Sequence, residues 1–391
     1  MNKDEKLLLI NEIFTPSSPV ENRDLFIGRQ TAIHEFREIV FEKGLHGVVI
    51  GPRGVGKTSL VNMSRFLFNN LLIIKVTCNR NDTFNSLWER AFKKIRFVQP
   101  ISELGFKGSE KVEIVPISFP QQSLLNATEI ENILTDLNQN SLFIFDEFDS
   151  LKNTEVKTQM ADLLKMLSDN LPNITILLVG LAQSAEKLIG EQYSIERCIK
   201  QIFLSPFHQK EAEKMIVENL TAIGLKIDKE ILITIIKLSA GFPNYLHLLC
   251  KNSSIEAVQD DSDGIYKPHL DKAVYRSIEN SHFTIKNAYT KAVNNNQESS
   301  MFEDLLFACV NAKKDRENTF GIEEVIMQLK KMKGKDLNPD SINRNLGLLC
   351  KKEKSEILTK LGRQRNSRFI FKKPQIMAFV NLKHYQINEI G

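Results

Sequence analysis

Cysteine is scarce in this chain and poorly placed for pairing. The 391 residues include five, Cys78, Cys198, Cys250, Cys309 and Cys350, an odd number, widely scattered and with no CxxC pair. That argues against a disulfide framework or a zinc site and points to a reducing, cytoplasmic setting. Long apolar runs are missing too. No stretch approaches about 18 apolar residues, so no membrane-spanning helix and no membrane partner are expected. The first ten residues set acids ahead of a short apolar run, unlike a signal peptide. Internal repeats are not evident. A large excess of one charge is also lacking, because the net charge is only +4. That charge is uneven, however. Residues 298–391 hold 18 Lys/Arg against 12 Asp/Glu, so a basic end follows a near-neutral body and suggests an anionic partner.

What is present reads as a globular chain of two or three domains, with an ordinary apolar fraction of 42%. Apolar runs at 45–50, 71–77, 141–145, 174–179 and, more weakly, 199–204 read as buried strands. Helical or polar stretches separate them, which predicts a parallel α/β sheet. Residues 101–120 read as a hairpin inserted between sheet elements. From Ser205-Pro206 onward the pattern becomes helical, with breaks near Gly224 and at Gly241-Phe242-Pro243. A turn is expected at 260–264 and a linker at 293–300. Helices at 301–312, 321–333 and 339–352 then precede two extended pieces near 355–360 and 368–372. Three helices followed by a hairpin with a basic loop match a winged helix-turn-helix. The predicted domains are therefore 1–205, 206–295 and 296–391.

The most specific motif is Gly51-Pro52-Arg53-Gly54-Val55-Gly56-Lys57-Thr58, a complete GxxxxGK[ST] between a strand and a helix. Glycines permit backbone angles that turn successive N–H groups, including those of Pro52's neighbours Arg53, Val55 and the following Ser59, toward phosphates. Lys57 is placed to reach β- and γ-phosphates and Thr58 to hold magnesium. About 90 residues on, Leu142-Phe-Ile-Phe-Asp-Glu-Phe-Asp149 reads as a strand delivering carboxylates to the sheet edge. Asp146 suits a magnesium ligand, direct or through water, and Glu147 a base that polarises an attacking water. Asp149 fits a helix cap or supporting role better than a metal ligand. ATP and Mg²⁺ are the implied cofactors. His208 and His247 lack partners at metal-ligand spacing and read as structural.

Residues 330–373 hold 14 Lys/Arg and 4 Asp/Glu. Arg344, Lys351 and Lys352 fall on the candidate recognition helix, 338–352. Lys360, Arg363, Arg365 and Arg368 fall on the wing. Such a helix enters a major groove while a basic wing follows phosphates, so duplex DNA is the favoured partner. A solvated charged face or a protein-binding winged helix is the competing reading. Met327, Leu329, Met332 and Leu337 suit a core better than base contacts.

Taken in order, these motifs resemble an AAA+ ATPase of the origin-recognition-complex and initiator branch, over about residues 14–385. Arg23-Asp-Leu-Phe-Ile-Gly-Arg29, with Ile27, resembles the segment that packs on adenine. The Walker A and Walker B motifs follow. Leu178-Val-Gly-Leu-Ala-Gln183 ends where the family places sensor 1, although the family usually has Asn, Ser or Thr there. Ser194-Ile-Glu-Arg197 resembles the arginine-finger segment. The resemblance implies that Arg197 completes a neighbour's site in a homo-oligomer; the alternative is a surface arginine paired with Glu196 or Glu191. Gly241-Phe-Pro-Asn-Tyr-Leu246 stands at the sensor 2 position with Asn244 in place of the usual arginine. With Pro243 it is similar to the GxP motif of STAND signalling ATPases. The resemblance implies a switch ATPase, not built for fast hydrolysis, that binds DNA in replication initiation, transposition, recombination or mobile-element defence. The alternatives are a STAND-like sensor whose C-terminal domain binds a protein effector and, less favoured, a P-loop kinase.

Overall fold

The computed structural model describes residues 2–390 apart from 102–110, 117–124, 138, 183–184, 190–192, 295–298, 316–317, 335–337 and 363–366. The chain divides into two compact units. One comprises Glu21–Pro52 and Lys57–Ser205. The other comprises Met1–Val20, Arg53–Gly56 and Pro206–Gly391.

The first unit is built on five parallel strands, β1 (His46–Ile50), β2 (Leu72–Thr77), β5 (Ser141–Asp146), β6 (Ile174–Gly180) and β7 (Ile199–Phe203). An antiparallel hairpin, β3 (Arg96–Ile101) and β4 (Lys111–Pro116), intervenes in the chain between β2 and β5. The sheet order is β2-β5-β6-β1-β7. All five predicted strands form, and the parallel pairing follows the expectation. The three inner strands are buried at every residue, which is why their sequences are mostly apolar. The outer strands β2 and β7 are only partly buried, which accounts for the weaker signal at 199–204. Trp88 is fully buried and its ring lies 5.2 Å from that of Phe143 and 5.3 Å from that of Phe145. The hairpin begins five residues earlier than the 101–120 reading, and 117–120 lie outside the described residues.

The second unit is mainly helical. Gln209–Ile223 stops at Gly224 in the left-handed region, as the glycine predicts. Lys229–Ser239 ends at Ala240 and Gly241, both at positive φ. A Cβ on Gly241 would lie 2.6 Å from the Phe207 carbonyl oxygen, so this turn requires glycine. Pro243 then opens the helix Pro243–Gln259 from its first position, where its missing N–H costs nothing. The expected turn at 260–264 leads into a short strand, Gly264–Ile265. Further on come helices Phe283–Val293, Ser299–Asn311, Ile322–Lys333 and Pro339–Leu349. Residues 295–298 of the expected linker lie outside the described residues. The last of these helices ends three residues before the predicted Lys352. An antiparallel pair follows, β8 (Leu358–Leu361) and β9 (Arg368–Phe371), and then the helix Ile376–Tyr385. Phe320 bridges to Phe369 and both are fully buried. Leu329 is buried as expected, whereas Met327 is exposed, on the outer face of the same helix.

His46 sits inside the sheet with a fixed tautomer. Nδ1 accepts the Ile176 N–H at 3.1 Å, so the proton is on Nε2, which donates to Leu164 O at 2.9 Å. Burial pushes its pKa down to about 4, and does the same to His247. A depressed histidine pKa means that the unfolded chain binds more protons between the two values. Its contribution is complete above about pH 6.5 and is lost as pH falls toward about 4. Urea unfolding should therefore show wild type losing about 2 kcal/mol per buried histidine between about pH 7.5 and about pH 5, and His46→Gln should remove roughly half of that slope.

Candidate functional site

The loop after β1 depends on its glycines. Gly51, Gly54 and Gly56 have φ of 147°, 84° and 94°. A Cβ on Gly51 would fall 2.2 Å from the Leu204 carbonyl oxygen, a clash that no relaxation of a side chain relieves. Leu204 is fixed there because its N–H donates to Ile50 O at 2.8 Å. Gly56 has open space around it, so its need for glycine is conformational. Lys57 begins the helix Lys57–Asn62, with Thr58 and Ser59 in its first turn, all partly buried. The Lys57 ammonium donates to Gly51 O and Pro52 O, both at 2.9 Å, folding back over the loop. Positive-φ glycines, a lysine and a threonine hydroxyl are a donor set suited to phosphate oxygens.

Within the second unit, Gly54 has its own close neighbours. A Cβ there would lie 2.9 Å from Asn244 Oδ1 and 3.0 Å from Gln375 Nε2. Asn244 Oδ1 is buried and has no hydrogen-bond partner among the described residues. A buried amide oxygen beside the loop tip is an acceptor able to take a donor when the loop changes state. Asn244 thus lies beside the loop tip, one residue after Pro243.

The acidic edge lies at the carboxyl end of β5. Because all five strands are parallel, their carboxyl ends share the edge that carries the glycine loop. Asp146 is 4% exposed and pairs with Lys75 Nζ at 3.1 Å. Lys75 comes from β2, whose Thr77 is in register with Asp146, and also donates to Asn62 Oδ1 at 2.7 Å. Motif reasoning does not find Lys75. The available signal is a charged residue inside an apolar strand, a placement that demands a counter-charge. Glu147 is exposed and adopts a left-handed conformation, φ 58° and ψ 35°, with its N–H donating to Asp146 Oδ1. That backbone is uncommon for a residue with a Cβ and turns Glu147 away from the strand direction. Asp149 accepts the Leu181 N–H at 2.8 Å, tying the acidic turn to the end of β6.

The other predicted residues are dispersed. Gln183 lies outside the described residues. Arg197, in the 3-10 turn Tyr193–Cys198, pairs with Asp169 at 2.5 Å rather than with Glu196. Ile27 precedes Gly28 and Arg29, both left-handed, and Arg29 is buried at the start of the helix Gln30–Phe41. At the basic end, Arg344 is exposed on its helix. Lys351 and Lys352 are exposed but lie beyond the end of that helix at Leu349, and Lys360 is exposed on β8. Arg368 faces its own domain, bonding Thr319 Oγ1 and O and pairing with Asp315 at 2.9 Å and Glu324 at 3.8 Å. Arg363 and Arg365 lie outside the described residues. His247 is structural in its contacts, with Nδ1 accepting the Thr15 N–H.

The sequence profile of the family described as Novel STAND NTPase 1 matches residues 19–338. The chain belongs to this family. No curated protein matches the sequence. Among solved structures, the fold is similar to that of the Walker-type ATPase PABY2304 of Pyrococcus abyssi, at 17% identity and TM-score 0.54, covering 94% of this chain and 99% of that one. The ORC2 protein of Aeropyrum pernix, solved in ADPNP–ADP complexes, matches at 14% identity and TM-score 0.49, over 97% and 98% of the two chains. Cdc6p from Pyrobaculum aerophilum matches at 14% and 0.45, over 96% and 98%. The five-stranded parallel sheet with its phosphate loop is a P-loop α/β fold, and the chain is an NTPase by family.

Removing one partner of the Lys75–Asp146 pair strands a buried carboxylate, and Lys75 is itself 29% exposed, which softens the cost. Lys75→Met should lower stability by about 1–3 kcal/mol in thermal or urea unfolding without magnesium.

Proposed function

We propose that this nSTAND1 protein is an ATP-dependent switch. In this reading it binds ATP with Mg²⁺ at the glycine loop, hydrolyses it slowly, assembles with copies of itself, and docks on duplex DNA through a C-terminal winged helix spanning roughly 296–391. One observation carries the nucleotide half: the glycine loop with Lys57 and the buried Asp146 stand on one edge of a parallel sheet.

Each residue has a defined task. Backbone N–H groups of Gly54 to Ser59 and the Lys57 ammonium hold the phosphates. Thr58 and Asp146 hold the metal, which when bound neutralises charge on the β- and γ-phosphate oxygens. Glu147, exposed next to Asp146, orients a water and accepts its proton. Gln183 steadies that water. Ile27 packs against the base, and Pro243 with Asn244 reports the loop's state to the helices that follow. Arg197 serves a neighbouring copy after releasing Asp169, contributing positive charge where charge builds on the transferred group. An asparagine at position 244, where the resembling family carries arginine, supports slow turnover and a signalling use of the nucleotide.

Support for the DNA half comes from charge. Arg344, Lys351 and Lys360 are exposed, and among the described residues no ion pair engages them. Exposed lysines and arginines of this density bind phosphates by releasing counterions.

Glu147→Gln should retain ATP binding while cutting turnover by about 10²–10⁴-fold, read as phosphate release at saturating ATP. Equal turnover in that variant would remove Glu147 from the chemistry. For duplex DNA, Arg344→Glu with Lys360→Glu should weaken binding and reduce the slope of log K against log salt by about 0.9 for each phosphate no longer neutralised. Arg368→Ala should instead lower stability, because its charge is spent on Asp315 and Glu324. Duplex binding that ignores salt would overturn the DNA half, and co-purification with a protein in place of DNA would favour an effector partner.

A further inference from the structure

A groove of about 450 Å³ opens within the second unit between the helix Phe283–Val293, the turn after Leu349, and the segment after β9. Phe283 stands in its wall with 72% of its surface exposed, an unusual place for a large apolar ring. Buried Ile357 and Ile376 also line it. Four lysines line the groove from three separate elements: Lys291, Lys352, Lys372 and Lys373. Glu356 is the acidic residue among them and is consumed in an ion pair with Lys372. Lys291, Lys352 and Lys373 are exposed, and among the described residues none of the three has an ion pair or side-chain hydrogen bond. Ser355 and Glu356, in the same wall, are consecutive non-glycine residues at φ 62° and 46°. Such conformations are retained where a surrounding structure requires them, often at binding sites.

The chemistry of the occupant follows from what the wall offers. Three uncommitted ammonium groups around one cavity ask for several negative charges. An exposed aromatic face asks for a planar group to stack on it. The described lining holds no arginine, so no planar fork is present to grip a terminal phosphate in two bonds. Flexible lysines on separate elements suit phosphates spaced along a backbone. A ring that stacks a base requires that base to be unpaired.

We infer that this groove binds an unpaired stretch of nucleic-acid strand, with a base stacked on Phe283 and backbone phosphates on Lys291, Lys352 and Lys373. The site is separate from Arg344 and Lys360, the residues assigned to duplex docking. It rests on the nucleic-acid reading of the C-terminal region only for the class of partner. Stacking on an aromatic ring and pairing of phosphates with lysines are open to every base, so binding depends little on sequence.

The test uses the full chain and fluorescence anisotropy with a labelled oligothymidine of about 12 nucleotides, beside a blunt duplex of equal length and free thymidine monophosphate. Wild type should bind the oligothymidine. Phe283→Ala should weaken that binding about tenfold or more while leaving duplex affinity unchanged, and Phe283→Tyr should restore it. Lys291→Glu with Lys373→Glu should reduce the salt slope for the single strand by about 0.7 per lysine. Circular dichroism melting of each variant checks the fold, which an exposed ring should not alter. No oligothymidine binding, or equal binding by Phe283→Ala, overturns the inference. Thymidine monophosphate bound as tightly as the oligomer also overturns it, in favour of a small-nucleotide pocket. Duplex binding abolished in Arg344→Glu with Lys360→Glu, while oligothymidine still binds, supports this inference, and oligothymidine binding lost in that variant overturns it, because the strand would then sit on the duplex residues.

Discussion

A carboxylate buried at the end of a strand must have a cation, and the nucleotide edge of this protein is organised around that need. Asp146 is nearly inaccessible, and an uncompensated charge there would cost several kcal/mol. Lys75 supplies the compensation across the β2–β5 pairing, helped by Asn62 from the helix that follows the glycine loop. Lys57 meanwhile lies against the loop carbonyls. Lys75 therefore satisfies a carboxylate that a divalent metal would satisfy instead, and Lys57 spends on loop carbonyls the protons that phosphate oxygens would accept. In the proposed switch, binding exchanges one charge-balanced arrangement for another, so it need not break the fold.

The same constraint explains which parts of the molecule are legible in sequence. Inner strands are dry on both faces, so Leu142 to Phe145 and Ile174 to Val179 have to be almost wholly apolar, and they read as strands. Glycines at Gly51, Gly54 and Gly56 are dictated by backbone angles and close approach, which is why the loop motif can be read with its roles. Lys75 escapes motif reasoning because its partner lies about 70 residues away: a charge inside an apolar strand demands a counter-charge but does not name it. Arg197 is similar: its partner Asp169 sits on a helix well before it in the chain, while the nearby Glu196 and Glu191 are the visible choices.

The basic end shows the same limit. Fourteen positive residues between 330 and 373 announce a charged surface, but sequence does not say which way each one points. Arg368 spends its charge inward on Asp315, Thr319 and Glu324. Lys352 leaves the helix because the helix stops at Leu349 and the backbone at Lys351 is extended, so it turns to a groove that no periodicity reveals. Phe283, far upstream, joins it there. Charge density is visible in the chain, but its division between structural pairs and free surface requires the fold.

In the proposed switch, the glycine loop and the acidic edge form one cation-dependent nucleotide site. Calorimetric titration of ATP into wild type, Lys57→Ala and Asp146→Asn, each with magnesium and with the metal chelated, tests this most directly. The expected result is magnesium-dependent binding to wild type, at least about tenfold weaker binding by Lys57→Ala, and loss of the magnesium dependence in Asp146→Asn. Equal affinity across the three proteins, or wild-type binding that ignores magnesium, would contradict it.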